Sequence, residues 1–276
     1  MNDALIVTVL SMVPKGQVAR WMGGVARTRF PRAVQRLFLR WYVGKYGVDL
    51  DDCVGELGDY DSLAAFFTRA LKPGVRPVDS EPTAIVSPVD GRVYTVGVVK
   101  AGRIPQAEGQ DFSVAELLGE PDRYEGGAFA ILYLSPRDYH RVHTPREGAV
   151  ARWRYTPGRL WPVFPAATRH VPDLFARNER LTTFLAADIG EIALVMVGAF
   201  GVGRMQVVYA DVMTNAGRPG GENLVTPPHL LGRAAELGRF EMGSTVILLF
   251  PPGRATLSLE AGAVVRLGAR IGQVAG

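Results

Sequence analysis

The chain of 276 residues is 47% hydrophobic and 21% charged, which describes an ordinary folded protein and excludes a disordered or low-complexity one. Its 32 glycines and 19 prolines favour many turns between short strands over long helices. The single Cys53 excludes an intramolecular disulfide framework and suits a reducing, cytoplasmic compartment. Net charge is only +4, yet the basic residues from Lys15 to Lys45 meet no acid but Asp3 before Asp49. A basic arm of this kind serves nucleic acid or an anionic lipid surface.

In chain order, Ala4 to Val13 is apolar but about half the length of a bilayer span, and Pro14 ends it. No basic stretch precedes it and no small-residue cleavage site follows, which argues against a signal peptide. From Arg32 to Tyr46 the spacing predicts a helix. Val34, Leu37, Phe38, Trp41 and Tyr42 recur at helical intervals, while Arg32, Arg36 and Arg40 line another side. Basic and aromatic faces on one helix suit a membrane interface; a stripe packed on the body with solvated arginines is the alternative. With the short apolar segment ahead of it, membrane contact is the expectation. Residues 1–61 are thus read as a membrane-associating helical arm that ends in an acidic linker, Gly47 to Asp61. Ser62 to Leu71 is expected to hold a short helix, capped by Asp61 or Ser62 and ended by Pro73-Gly74.

Beyond it the period changes. Strands are expected over 92–99, 129–134, 192–197, 205–209 and 245–250, separated by Gly/Pro turns. The expected fold class is α+β, mainly β: N-terminal helices, then an antiparallel β-sandwich or barrel body over 62–276. No regular alternation of strands with helices supports a doubly wound sheet. Pro88-Val89-Asp90-Gly91-Arg92-Val93 and Pro145-Arg146-Glu147-Gly148-Ala149-Val150 share the pattern Pro-x-acid-Gly-x-Val. Each reads as a tight turn feeding a strand, which suggests a duplicated turn-strand unit.

The chemistry concentrates in a few residues. Gly243 has no side chain to shield its carbonyl, so the hydroxyl of Ser244 could attack its own backbone; the bland alternative is a turn into the last strand. A serine needs a base within reach, and the base needs an orienting acid. His143 and Asp90 are the upstream candidates for those parts. No Gly-x-Ser-x-Gly elbow surrounds Ser244, which argues against an ordinary esterase. His140 and His143 lie three apart between Pro136 and Pro145. A zinc site wants three or four protein ligands, and no second ligand pair accompanies them, so a metal is set aside. Two surface histidines on a basic loop remain the plain alternative.

Five segments taken in order, Phe66 to Asp79, Ser87 to Gly91, Pro136 to His143, Leu174 to Arg180 and Gly243 to Thr245, resemble pyruvoyl-dependent phosphatidylserine decarboxylase of the bacterial type. The usual Leu-Gly-Ser-Thr is Met-Gly-Ser-Thr here, a volume-conserving change. The resemblance implies a proenzyme that cuts itself between Gly243 and Ser244, leaving a large chain, 1–243, and a small chain, 244–276. Asp90, His143 and Ser244 would form the self-cleavage triad, and Ser244 would become a covalent pyruvoyl group, a pyruvate cofactor. That group would form a Schiff base with phosphatidylserine and yield phosphatidylethanolamine and CO2 without a metal. His140 is the candidate proton donor in decarboxylation. The family also implies a peripheral enzyme on the cytoplasmic face of the cell membrane, a homodimer, and no nucleic-acid partner. Leu160 to Phe164 either meets acyl chains near the site or forms a core loop. Two rivals stand beside this reading. A carrier or binding module would leave the histidines and Gly-Ser-Thr idle, and a conventional serine hydrolase would remain one chain.

Overall fold

The structure is a computed structural model that describes residue 7 and residues 13–200, 204–241 and 244–275, with Ser244 described in its backbone alone. Two helices open it. Helix α1 (Lys15–Arg27) follows Pro14, and α2 (Arg32–Tyr46) follows Pro31, where proline's missing N–H costs a helix start nothing. Helix α2 stops at Gly47, whose φ of 67° is left-handed and whose N–H donates to the Val43 carbonyl. Helix α3 (Leu63–Phe67) begins where the Ser62 side chain accepts from the Ala65 N–H, a cap typically worth about 1 kcal/mol.

The body is built of strands β1 (Ala84–Val86), β2 (Gly91–Val98), β3 (Arg103–Ala107), β4 (Gln110–Ser113), β5 (Gly127–Leu134), β6 (Arg141–His143), β7 (Gly148–Thr156) and β8 (Arg180–Ala187). These are followed by β9 (Gly190–Val197), β10 (Met205–Val207), β11 (Gly221–Leu231), β12 (Glu236–Phe240), β13 (Ser244–Pro252), β14 (Ala255–Leu257), β15 (Val264–Val265) and β16 (Arg270–Val274). Short helices α4 (Val114–Leu118), α5 (Pro165–His170) and α6 (Leu174–Arg177) interrupt them.

An eight-stranded antiparallel sheet in the order β11-β7-β8-β9-β13-β5-β2-β15 forms the middle layer. Its central strand β13 is buried on both faces, so its sequence reads as a continuous apolar run. Val246, Leu248 and Phe250 join an inner cluster with Ile85, Val142 and Leu237 from two small three-stranded sheets, β1-β16-β14 and β10-β12-β6. Ile247 and Leu249 join an outer cluster closed by α4, α5, α6 and the β3–β4 hairpin. The mainly β, antiparallel architecture with N-terminal helices matches the expectation from sequence.

The duplicated unit is real and larger than its motif. The Val86 N–H donates to the Pro145 carbonyl at 3.1 Å, and the His143 N–H donates to the Pro88 carbonyl at 2.8 Å, the same bond made from each copy. Ser87 pairs with Gly268 and Ala269 as Thr144 pairs with Ala234 and Ala235. Strand β1 then lies on β16 as β6 lies on β12. Gly91 and Gly148 open the two repeats' long strands, where a Cβ would come within 2.6 Å of a neighbouring carbonyl oxygen, that of Tyr133 or Ala186. That approach explains the shared glycine. One copy carries Val86 where the other carries His143.

The helical arm differs from expectation in one respect. The stretch expected as a linker is a packed loop: Val48 and Cys53 are buried, and Cys53 forms a bridge with Leu71. Leu39, Tyr42, Phe66 and Phe67 share one cluster, so α2 docks on α3. Only Tyr42 of the predicted α2 stripe takes part in that docking. Leu37 is 70% exposed, Trp41 and Val34 are each 53%, and Trp21 of α1 is 70%. The apolar stripe was therefore not spent on packing against the body. Most of the Ala4 to Val13 segment lies outside the described residues; Val7 packs on the outer cluster. Among the described residues no helix is long and apolar enough to cross a membrane. Leu160 and Trp161 are buried in the body, with the Lys15 ammonium 3.8 Å from the Trp161 ring, so that stretch is a core loop.

Candidate active site

The loop from β5 to β6 is a tight turn because one Asp138 oxygen accepts from both the N–H and the hydroxyl of Ser135, each at 2.7 Å. The turn sends Tyr139 and His140 inward and lets β6 start at Arg141. Strand β6 pairs with β12, and the Phe240 N–H donates to the His140 carbonyl at 3.0 Å. The histidines thus lie beside the strand that leads toward Ser244.

His143 is buried, and its Nδ1 lies 2.8 Å from the Ala234 carbonyl oxygen. A carbonyl only accepts, so Nδ1 carries the proton and Nε2 keeps its lone pair. The Tyr139 hydroxyl donates toward that nitrogen at 3.2 Å. Burial lowers the His143 pKa, and burial raises that of Tyr139 to about 12. The pair is a neutral base with a protonated phenol against it.

His140 is fully buried, its ring centroid 4.1 Å from that of Phe67. Its Nδ1–H donates to the Asp138 carbonyl at 2.8 Å, and its Nε2 has no hydrogen-bond partner. Burial pulls its pKa down to about 3. In this form Nε2 carries no proton and is open to accept one.

Asp90 does not touch His143 through a hydrogen bond. Its carboxylate is held by Arg76, with contacts of 3.0, 3.0 and 2.6 Å, and by the Leu267 N–H at 2.8 Å. The orienting part given to Asp90 from sequence is taken here by the Ala234 carbonyl. Asp90 acts on His143 through space, its charge favouring the protonated ring. Arg76, itself raised in pKa mainly by the Asp90 bond, also reaches Asp52 at 2.7 Å. A polar cavity of about 270 Å3 is lined by Arg69, Arg76, Asp90, Tyr139 and Arg266.

Ser244 enters through its backbone. It pairs with Leu134 as the first residue of β13, while Thr245 pairs with Tyr133, and Arg92 of β2 pairs with the same Tyr133 from the other side. Ser244, Leu134 and Gly91 therefore share one row across the sheet. At the usual strand spacing the Cα atoms of Ser244 and Gly91 are roughly 10 Å apart. Met242 and Gly243 lie outside the described residues. Strands β12 and β13 belong to different sheets, so the chain changes layers between Phe240 and Ser244.

Of the sequence candidates, Asp90, His140 and His143 gather at this end of the sheet, and the backbone of Ser244 opens the strand beside them. Three participants were missed. Tyr139 stood in a quoted motif, four residues before His143, and Arg76 stood in another. Ala234 acts through a carbonyl, which no side-chain pattern can signal. The Leu174 to Arg180 motif is largely a staple: the Asn178 side chain bridges Trp161 and Gly198, and Arg180 binds the Glu116 and Leu117 carbonyls at the end of α4.

Two buried histidines, each with an unprotonated Nε2, in and just before the strand paired with the one that leads toward Ser244 suit an enzyme better than a carrier module. Comparison with known proteins agrees. The phosphatidylserine decarboxylase family profile matches residues 63–273. Similar chains include the phosphatidylserine decarboxylase proenzyme of Myxococcus xanthus, 43% identical across 99% of this chain and 100% of the relative. That of Anaeromyxobacter is 44% identical across the whole of both, and that of Stutzerimonas stutzeri is 41% identical across 100% of this chain and 96% of its own. The chain belongs to the phosphatidylserine decarboxylase family.

Proposed function

We propose that the chain is a proenzyme that cuts itself between Gly243 and Ser244 and then decarboxylates phosphatidylserine to phosphatidylethanolamine. The observation that carries this reading is the tautomer of His143, a buried base whose unprotonated Nε2 accepts from the Tyr139 hydroxyl, on the strand paired with the one that leads toward Ser244. In the self-cleavage step His143 takes the Ser244 hydroxyl proton, and the oxygen attacks the Gly243 carbonyl. Asp90, fixed by Arg76, contributes negative charge that stabilises the imidazolium as it forms.

A pyruvoyl group would sit at position 244, the first residue of β13, where a covalent group needs no further partner to hold it; His140, whose carbonyl accepts from the Phe240 N–H, offers an unpartnered Nε2. When formed, the group supplies an electrophilic ketone next to an amide, which accepts the electron pair left as CO2 departs. The protein's own part is to hold the charged headgroup and exclude water. Arg69 and Arg266 in the polar cavity suit its carboxylate and phosphate.

The lipid tails would stay in the membrane, with the arm lying in the cytoplasmic interface. The exposed Trp21, Leu37 and Trp41 support this, as does an apolar groove of about 350 Å3 between α1 and α2. Intact-mass measurement of purified protein tests the whole reading. Two chains are expected, the smaller beginning with a blocked residue lighter than serine; a single full-length mass with an ordinary serine would reject it.

A further inference from the structure

Glu179 is a buried carboxyl that the reaction described above leaves unused. It is 3% exposed. Its Oε1 accepts from the Tyr155 hydroxyl at 2.5 Å and from the Asn215 N–H at 2.7 Å. Its Oε2 is buried and has no hydrogen-bond partner. Among the described residues no cation pairs with either oxygen. Burial pushes the carboxyl above the usual carboxylate range, which favours its neutral form. With Oε1 already accepting two hydrogens, the proton of that neutral form belongs on Oε2.

Its position in the sheet gives that proton a direction. The Gly198 N–H donates to the Glu179 carbonyl at 2.8 Å, one step beyond the Arg180–Val197 pair. Thr245 pairs with the same Val197 from the other side, so Glu179, Gly198 and Ser244 make one row across neighbouring chains. Gly198 contributes no side chain between them. At the usual spacing the outer two Cα atoms are roughly 10 Å apart; an extended glutamate covers about half of that, and the rest, too long for a direct hydrogen bond, is a span for one bridging water. Leu181 and Leu185 of β8 and Val246 and Leu248 of β13 all face the inner cluster, which also contains Tyr155. The Glu179 carboxyl therefore lies on the face against which the histidine-bearing sheet packs.

We propose that Glu179 is the proton donor to the peptide nitrogen of residue 244 during self-cleavage. This rests on the self-cleavage reading above. As the Ser244 oxygen bonds to the Gly243 carbonyl carbon, His143 takes the hydroxyl proton. As the carbon–nitrogen bond breaks, its electron pair stays on nitrogen and takes a proton relayed from Oε2 through one water. The products are an ester and a free amine, with one proton accepted by His143 and one given by Glu179. No oxidant or reductant is needed.

Pulse-labelled cell-free synthesis, followed by gel and mass analysis, measures the rate of cutting without reference to decarboxylation. Glu179→Gln keeps an oxygen for Tyr155 and Asn215 but has no transferable proton, whereas Tyr155→Phe removes one contact and keeps the acid. Glu179→Gln should fold with near-normal thermal stability and cut about 100-fold more slowly. Tyr155→Phe should cut within about twofold of the parent chain, because the acid is retained. Cutting of Glu179→Gln at the parent rate overturns the proposal. So does loss of fold in that variant, or equal slowing in both, since either would make Glu179 structural. Failure of the unsubstituted chain to cut at all would instead bring down the self-cleavage reading, and this proposal with it.

Discussion

The bond from His143 Nδ1–H to the Ala234 carbonyl, 2.8 Å long, fixes which nitrogen of the ring is basic. Removing the ring removes the base. His143→Gln should leave one uncut chain, as should Ser244→Ala, and intact mass would reveal it. Asp90→Asn should act differently. It weakens the Arg76 pair and the Leu267 contact, charged bonds typically worth about 1.5–3 kcal/mol, so Tm should fall by several degrees while cutting slows. His143→Gln should shift Tm little. Equal Tm losses in the two variants would contradict the division between base and scaffold.

Two buried neutral histidines make stability depend on pH. Unfolded, both rings gain a proton near 6.5; folded, His140 stays neutral down to about 3, and His143 is also lowered. The unfolded state binds more protons between those values, so stability is whole above 6.5 and declines as pH falls toward 3. His140 alone should contribute a slope of about 1.4 kcal/mol per pH unit. Denaturant titrations at about pH 7 and about pH 5 would measure it, and His140→Leu should flatten the slope relative to the parent chain.

His140→Ala should still permit cutting, because the base is His143, yet impair decarboxylation. Gel analysis for two chains and a CO2-release assay separate the two effects. An uncut His140→Ala chain of native fold would merge the roles of the two rings.

The cut halves should stay together. Strand β13 lies between β5 and β9, β16 lies between β1 and β14, and the Leu267 N–H is bound to Asp90. Gel filtration at neutral pH should return both chains in one peak, and only denaturant should part them. Separation in plain buffer would contradict this sheet topology.

The arm makes a measurable claim on membranes. Fully burying one large apolar side chain is worth about 1.5–3 kcal/mol, so Leu37→Glu with Trp41→Glu should lower partition onto anionic vesicles by at least about tenfold. Cosedimentation with phosphatidylserine-containing vesicles reads the effect. Unchanged binding would leave the exposed stripe without this role.

Helix α2 was legible because an apolar residue recurs every three or four positions, and α3 because Ser62 caps it. The central strands were legible as apolar runs. Helix α1 escaped because Gly16, Gly23 and Gly24 interrupt its sequence like turns, and β8 and β11 escaped because their polar residues mask the period. The acidic loop read as a linker from its charge, yet Asp52 is consumed by Arg76.

By itself, the sequence determined the chemical types present: a Gly-Ser bond, two histidines, an acid, and a turn used twice. Tertiary structure alone decided which of them meet. Asp90 went to Arg76, His143 to a backbone carbonyl, and Glu179 onto the row of Ser244. The reason is physical: side-chain identity is local, whereas hydrogen-bond partners and desolvation depend on strands brought together from distant parts of the chain.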